Sequence, residues 1–210
     1  MKKILSLMDF TGNWVKPYHE AGYETIQIDI KHGDNVLDID EDWVADNGPF
    51  HGILAAPPCD HFSVSGARWW AEKDRDGRTE EGVRLANHTI DIIEWCVRHG
   101  DVGFWAIENP VGRINKLVPR LKNWGPHYFH PHYYGGYLTP PGDHYTKKTG
   151  LWGHFTWPHL KGVEPVMLTD GAGNRGSWMW LRLGGKSERT KELRSATPMG
   201  FSRAFFSANQ

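Results

Sequence analysis

Cysteine is scarce in this chain of 210 residues: there are two, and they do not stand at metal-ligand spacing. That argues against a disulfide scaffold and fits a reducing compartment. Long apolar runs are also missing, since nothing approaches the roughly 18 residues that span a bilayer. The start, MKKILSLMDFTG, has the basic end and short apolar run of a signal peptide, but Asp9 interrupts it and no small-residue cleavage site follows. It reads instead as a first strand, and a cytoplasmic protein is expected. Internal repeats and low-complexity tracts are absent. One core with an added lobe is the expectation for this length.

Net charge is close to zero, at −1, which conceals an asymmetry. Residues 1–110 hold 10 Lys and Arg against 20 Asp and Glu, whereas residues 111–210 hold 14 against 5. Two readings fit: a solvated charge distribution, or a basic face for a polyanion built by the second half. Eleven Trp and twelve His are many for the length. With Tyr and Phe they cluster between residues 124 and 180, as on a surface that stacks on bases or in an irregular lobe packed with aromatics.

The first half alternates strand and helix signals. Residues 3–8 and 24–30 read as strands, with a helix over 14–21 whose Pro17 falls in the first turn and which Gly22 closes. A third strand spans 52–56. The helix at 79–99 is the clearest element: Val83, Ala86, Ile90, Ile93 and Val97 recur at spacings of three and four, Thr79 can cap its start and Gly100 ends it. A fourth strand, 103–107, stops at Glu108-Asn109-Pro110. This alternation implies an open, doubly wound, mostly parallel α/β sheet, with ligands outside the carboxyl ends of the strands. After residue 110 the pattern gives way to Pro, Gly and aromatics, with weak strand signals near 151–157 and 178–183. A small irregular lobe is expected at 111–185, with 186–210 returning to the domain formed by 1–110.

Four groups of special residues fall at predicted strand ends: Asp9-Phe10-Thr11-Gly12, Asp29, Pro57-Pro58-Cys59 and Glu108-Asn109-Pro110. A lone thiol behind two prolines is either a buried structural cysteine or a nucleophile aimed into a cleft. Cysteine is the most nucleophilic side chain near neutral pH, and the prolines restrict where its sulfur points. Cys96 stands beside the apolar stripe of the long helix and reads as structural. The histidines between 130 and 159 have no Cys or acid at ligand spacing, so no metal is expected. The glycine-rich run 171–176 has no preceding strand and no following Lys-Ser/Thr, and reads as a turn.

DFTG followed by AGYETIQIDI, then APPCDHFS, then WAIENP, in that order and at these separations, resembles the DNA cytosine-5 methyltransferases, compact phage-type members above all. KKTGLWG and RSATPMGFSRAFF also have counterparts there. The resemblance covers most of residues 1–110 and two later segments. It implies the S-adenosylmethionine-dependent methyltransferase fold and methyl transfer to C5 of cytosine in double-stranded DNA. The C5 carbon is a poor nucleophile, so a thiolate must first add to C6 of a base extruded from the duplex. By resemblance Cys59 is that nucleophile, Glu108 acts at N3 and the exocyclic amine, and Lys148 stands where the family contacts O2, usually with arginine. The cofactor S-adenosylmethionine would meet Phe10, Thr11, Gly12, Asp29, Ile30, Asp38, Ile39, Pro57, Ser195 and Thr197. Ser63, Arg68, Lys73 and Lys147 are the expected nucleic-acid contacts, three of them on or beside a mobile loop over 60–78.

The chain departs from the family pattern in two places. Asn13 and Trp14 follow Gly12 where more glycine is usual, so the Trp must face away from the ligand. Asp60 and His61 stand where a glutamine follows the cysteine. The lobe is also small for a target-recognition domain, which points to a short recognition site, relaxed specificity, or a protein partner or homodimer that supplies recognition. A bacterial host with phage or prophage origin is implied. Other readings are an enzyme of the same fold acting on RNA or a free nucleotide or with another donor group, and a DNA-binding protein without turnover.

Overall fold

The computed structural model describes residues 1–183 and 187–210. The first half runs β1 (Lys3–Leu7), α1 (Lys16–Glu20), β2 (Glu24–Ile28), α2 (Glu41–Asn47), β3 (Gly52–Ala55), α3 (Trp70–Arg75), α4 (Arg78–His99) and β4 (Phe104–Pro110). Then follow α5 (Ile114–Leu117), β5 (His127–Phe129), β6 (Thr149–His154) and a hairpin of β7 (Met167–Thr169) and β8 (Arg175–Ser177). The chain ends with α6 (Trp178–Arg182), α7 (Glu188–Ser195) and α8 (Met199–Ala208).

Six strands form one mixed sheet in the order β2-β1-β3-β4-β6-β5. The first four are parallel, and β6 runs antiparallel to both β4 and β5. Successive side chains on a strand face opposite sides, so each strand feeds two cores. Ile4, Leu54, Phe104 and Ala106 pack with Trp14 and Tyr18 of the α1 region and with Phe201 and Phe205 of α8. Leu5, Leu7, Ile53, Trp105 and Ile107 pack on the other face with Val44 of α2 and Ile90 and Ile93 of α4. Burial on both faces explains why β3 reads as an unbroken apolar run rather than an alternation. β2 and β3 leave β1 on opposite sides, and that reversal opens a crevice at the carboxyl ends of the strands.

Several expectations change in the folded chain. β4 continues through Glu108, Asn109 and Pro110 because β6 pairs with it in register up to Pro110 and Thr149. Glu108 is therefore a strand residue, not part of a turn. The segment after residue 110 gives its strands β5 and β6 to the main sheet, and among the described residues only β7 and β8 form a separate pair. The expected boundary at 185/186 lies outside the described residues. The apolar run near 178–183 is helical over Trp178–Arg182, since so short a run carries no decisive period. On α4, Gly77 in the left-handed region precedes the first turn and Thr79 lies inside the helix. Val97 is exposed, and Cys96 fills the core position beside it. Residues 64–75, expected as a mobile loop, form a 3-10 segment followed by α3. Among the described residues no helix is long and apolar enough to cross a membrane.

Candidate active site

The carboxyl ends of β1, β2, β3 and β4 border a cleft of about 500 Å³, within the range usual for small-molecule sites. Its floor begins with the turn after β1. Asp9 is buried and accepts hydrogen bonds from the Trp14 N–H at 3.0 Å and the Thr11 hydroxyl at 3.1 Å. Gly12 takes a φ of +66°, and a Cβ there would stand 3.0 Å from the Gln27 amide oxygen. The Gln27 amide donates to the Asp9 and Phe10 carbonyls, tying the turn to β2. Trp14 is fully buried on the far side, its ring 5.5 Å from Phe205, so the bulky residue after the turn does face away from the cleft. The Asn13 amide donates to the Thr197 carbonyl at 3.1 Å. Asn13 thus anchors the returning C-terminal segment.

Around this turn Phe10, Thr11, Asp29, Ile30, Pro57 and Ser195 all border the cleft. Asp29 is buried and accepts from the Lys31 N–H through one carboxyl oxygen at 2.9 Å. Ile30 is 69% exposed, an unusual state for a large apolar side chain. At the mouth Lys31 lies 4.5 Å from the Phe10 ring centre and pairs with Glu192 of α7 at 2.9 Å. Gly12 and Thr197 do not line the space, and Thr197 is buried. Asp38 and Ile39 are displaced from their expected role. Asp38 is exposed and Ile39 belongs to the core, while Asn35, Val36 and Leu37 border the cleft in their place.

Cys59 and Glu108 open on the same space. The Asn109 amide donates to the Pro57 carbonyl at 2.9 Å and so clamps the tip of β3 to the end of β4. Beyond the cysteine, the Phe62 and Ser63 N–H groups both donate to the Cys59 carbonyl. Phe62 is fully buried, and its carbonyl accepts from the Arg113 N–H at 2.9 Å. Arg113 also donates through its side chain to the His61 carbonyl, to both Asp74 oxygens and to the Thr79 hydroxyl, and it lies 4.6 Å from the Trp70 ring centre. Its guanidinium holds the Asp74 carboxyl down to about 2. The thiol-bearing segment is thereby fastened to the end of β4.

Burial pushes the Glu108 carboxyl up, the Lys147 ammonium works against it, and the Asp9 charge adds to the rise. Burial likewise raises the Cys59 thiol, with Lys147 opposing and the Glu108 and Asp60 carboxylates reinforcing. A carboxylic acid that keeps its proton can donate a hydrogen bond to a ring nitrogen, and one cation tunes both groups. Cys96, by contrast, is buried within the core, its thiol pushed up to about 12 by burial alone against a small backbone effect.

Of the two lysines it is Lys147, not the expected Lys148, whose charge reaches Cys59 and Glu108. Lys148 is exposed with its ammonium 4.5 Å from the Tyr128 ring centre. Two more of the expected nucleic-acid contacts also need revision. Ser63 is buried, and its hydroxyl caps the following turn by accepting from the Ser65 N–H. Lys73 is buried and donates to the Asp60 carbonyl at 2.6 Å and carboxylate at 3.0 Å. Arg68 does lie on the surface, 5.2 Å from the ring of the half-exposed Trp69. The sequence marks Asp9 as part of the turn without giving it a role, and it passes over Glu81, Leu85 and Arg113. Asp9 had a signal, a carboxylate directly before the turn; the others depend on α4 and on the packing of the 60–79 segment. Among the described residues no group of three His, Cys, Asp or Glu side chains is placed to hold a metal.

No protein-family model matches the chain, and no curated protein sequence matches it. Its fold is similar to that of a solved structure, a candidate DNA modification methyltransferase encoded within an E. coli prophage, at 14% identity and a TM-score of 0.52. The likeness covers 79% of this chain and 53% of the other, so the chain spans about half the length of the structure it matches. At that identity the likeness establishes an α/β fold with a mixed sheet, of the general kind that methyltransferase structure has.

Proposed function

We propose that the protein is an S-adenosylmethionine-dependent methyltransferase of doubly wound architecture that modifies C5 of cytosine in DNA. The observation that carries this reading is one cleft bordered by both the Cys59 thiol and the Glu108 carboxyl, beside the Phe10–Thr11 turn and Asp29. The cleft also suits the donor. The carboxyl groups of Asp29 and Glu81 border it, and its lining lysine, Lys31, is committed to Glu192. Such a set favours a cationic ligand, and a sulfonium with an α-ammonium is one. S-adenosylmethionine held by Phe10, Thr11, Asp29 and Ile30 would supply an electrophilic methyl group there.

The chain's own residues would do the rest. Cys59, as thiolate, adds to C6 of an extruded cytosine, and the electron pair moves toward N3, where Glu108 donates its proton. Lys147 lowers the cost of ionising the thiol and offsets charge on the base. Pro57, Pro58 and the Asn109 clamp hold the sulfur at the height of Glu108, and positioning of this kind accounts for much of catalysis. After transfer, solvent water reaching the cleft takes the C5 proton, and elimination restores the Cys59 thiolate while N3 returns its proton to Glu108. A bacterial cytoplasm and phage origin belong to the same proposal, as does a division between the cofactor domain and a 111–185 recognition lobe.

The test is transfer of labelled methyl from S-adenosylmethionine to duplex DNA, with Cys59→Ala and Cys96→Ser alongside. Label on cytosine C5 that is lost only with Cys59→Ala is expected. Cofactor binding without transfer to any cytosine polymer would overturn the reading.

A further inference from the structure

Beyond the cleft, the same rim of the sheet carries a basic and aromatic strip at its outer edge. Gly150 of β6 is in register with Asn109 on one side and with Tyr128 of β5 on the other. Tyr128 therefore stands two strand spacings, roughly 10 Å, outward from the end of β4. β5 is an edge strand of three residues between Pro126 and Pro131. Its brevity and prolines make it a poor template for strand pairing, but they do not explain the rings beside it. Tyr128 is 44% and Tyr133 36% exposed. Lys148 lies against Tyr128; burial, with His132 and Lys148, lowers His130 from its ordinary value, and the His130 ring is 5.4 Å from that of Tyr133. His132 is 4.7 Å from Tyr133. Residues 111–183 hold nine Lys and Arg against three Asp and Glu, with no acid before Asp143.

We propose that this strip, Tyr128, Lys148, His130, His132 and Tyr133, holds a single unpaired nucleic-acid strand next to the cytosine bound in the cleft. Exposed tyrosine rings stack on bases when those bases are released from a duplex, and the Lys148 ammonium meets the phosphates between them. The proposal deepens the function above and rests on its nucleic-acid substrate. The preferred substrate then contains single-stranded or splayed DNA around the target.

Fluorescence anisotropy with labelled single-stranded and duplex DNA tests this on the full chain. Tyr128→Ala and Lys148→Ala are each expected to weaken single-strand binding about tenfold. Tyr128→Phe keeps it, and S-adenosylmethionine binding by calorimetry stays at the wild-type value in all three. Lys148→Ala also flattens the logarithmic salt dependence, by about 0.7 for each phosphate that the lysine neutralises. Single-strand binding equal to wild type in both alanine variants overturns the strip and leaves the methyltransferase reading standing. A strong preference for intact duplex overturns it as well. Loss of strand binding in the variants, in a protein that transfers no methyl group, upholds the strip and sinks the proposed reaction instead.

Discussion

Replacing Gly112 with alanine is the most direct test of whether the thiol and the carboxyl work as a pair. The added Cβ would stand 1.8 Å from the Phe62 carbonyl oxygen, whereas ordinary contact begins at 3.4 Å, so the two segments must part by about 1.6 Å. Neither side yields easily, because Phe62 is fully buried and Gly112 stands two residues beyond the end of β4. Two backbone hydrogen bonds cross this junction, Arg113 N–H to Phe62 O at 2.9 Å and Val64 N–H to Val111 O at 3.0 Å. At about 1 kcal/mol each, their loss costs roughly 2 kcal/mol, or a fall of about 4–8 °C in Tm for a chain of this size. The larger effect is on chemistry. Cys59 is three residues from Phe62 and Glu108 is four from Gly112, so the separation carries through to the reacting groups. A misplacement near 1 Å costs on the order of 100-fold in rate. The assay is single-turnover methyl transfer together with thermal unfolding, with Gly171→Ala as control, since a Cβ there meets nothing within 4 Å. A Gly112→Ala protein that transfers methyl groups at the wild-type rate would refute the reasoning.

Three further outcomes are expected. Lys147→Ala removes the cation that opposes the rise of the Cys59 thiol, so alkylation of Cys59 by iodoacetamide at pH 8 slows, while Lys148→Ala leaves it unchanged; equal effects from both would return the role to either lysine. Glu108 holds its proton more firmly folded than unfolded, so its contribution to stability is full below the unfolded carboxyl's value of about 4.3 and is lost as pH rises through its higher folded value. Glu108→Gln is accordingly expected to raise Tm at pH 8 more than at pH 4 while abolishing transfer, and a uniform shift at both pH values would contradict it. Trp14→Ala empties a fully buried site between α1 and α8 and is expected to cost about 3–5 kcal/mol, read by urea unfolding; a loss under about 1 kcal/mol would show that the turn does not depend on that anchor.

What local order in the chain decides was legible before folding. The apolar runs of β1, β3 and β4 and the stripe of α4 follow from period and length, and their ends place Phe10, Asp29, Cys59 and Glu108 on one rim because a parallel sheet collects its carboxyl ends there. Structural Cys96 was equally plain, since one face of a long amphipathic helix must be buried. Other assignments waited on partners far along the chain. Lys147 and Lys148 are indistinguishable by composition, and only the pairing of β6 with β4 sends one toward Glu108 and the other out to Tyr128. Lys73 looked like a free phosphate-binding side chain until Asp60, thirteen residues earlier, claimed its ammonium. Val36 and Leu37 border the cleft instead of Asp38 and Ile39 because the turn after β2 is set by Asn35 capping the Leu37 N–H and by the core that takes Ile39. Strand periodicity is a property of neighbouring residues, so the chain alone carried it; the direction of a loop side chain is settled by packing across the sheet, and only the tertiary structure could supply that.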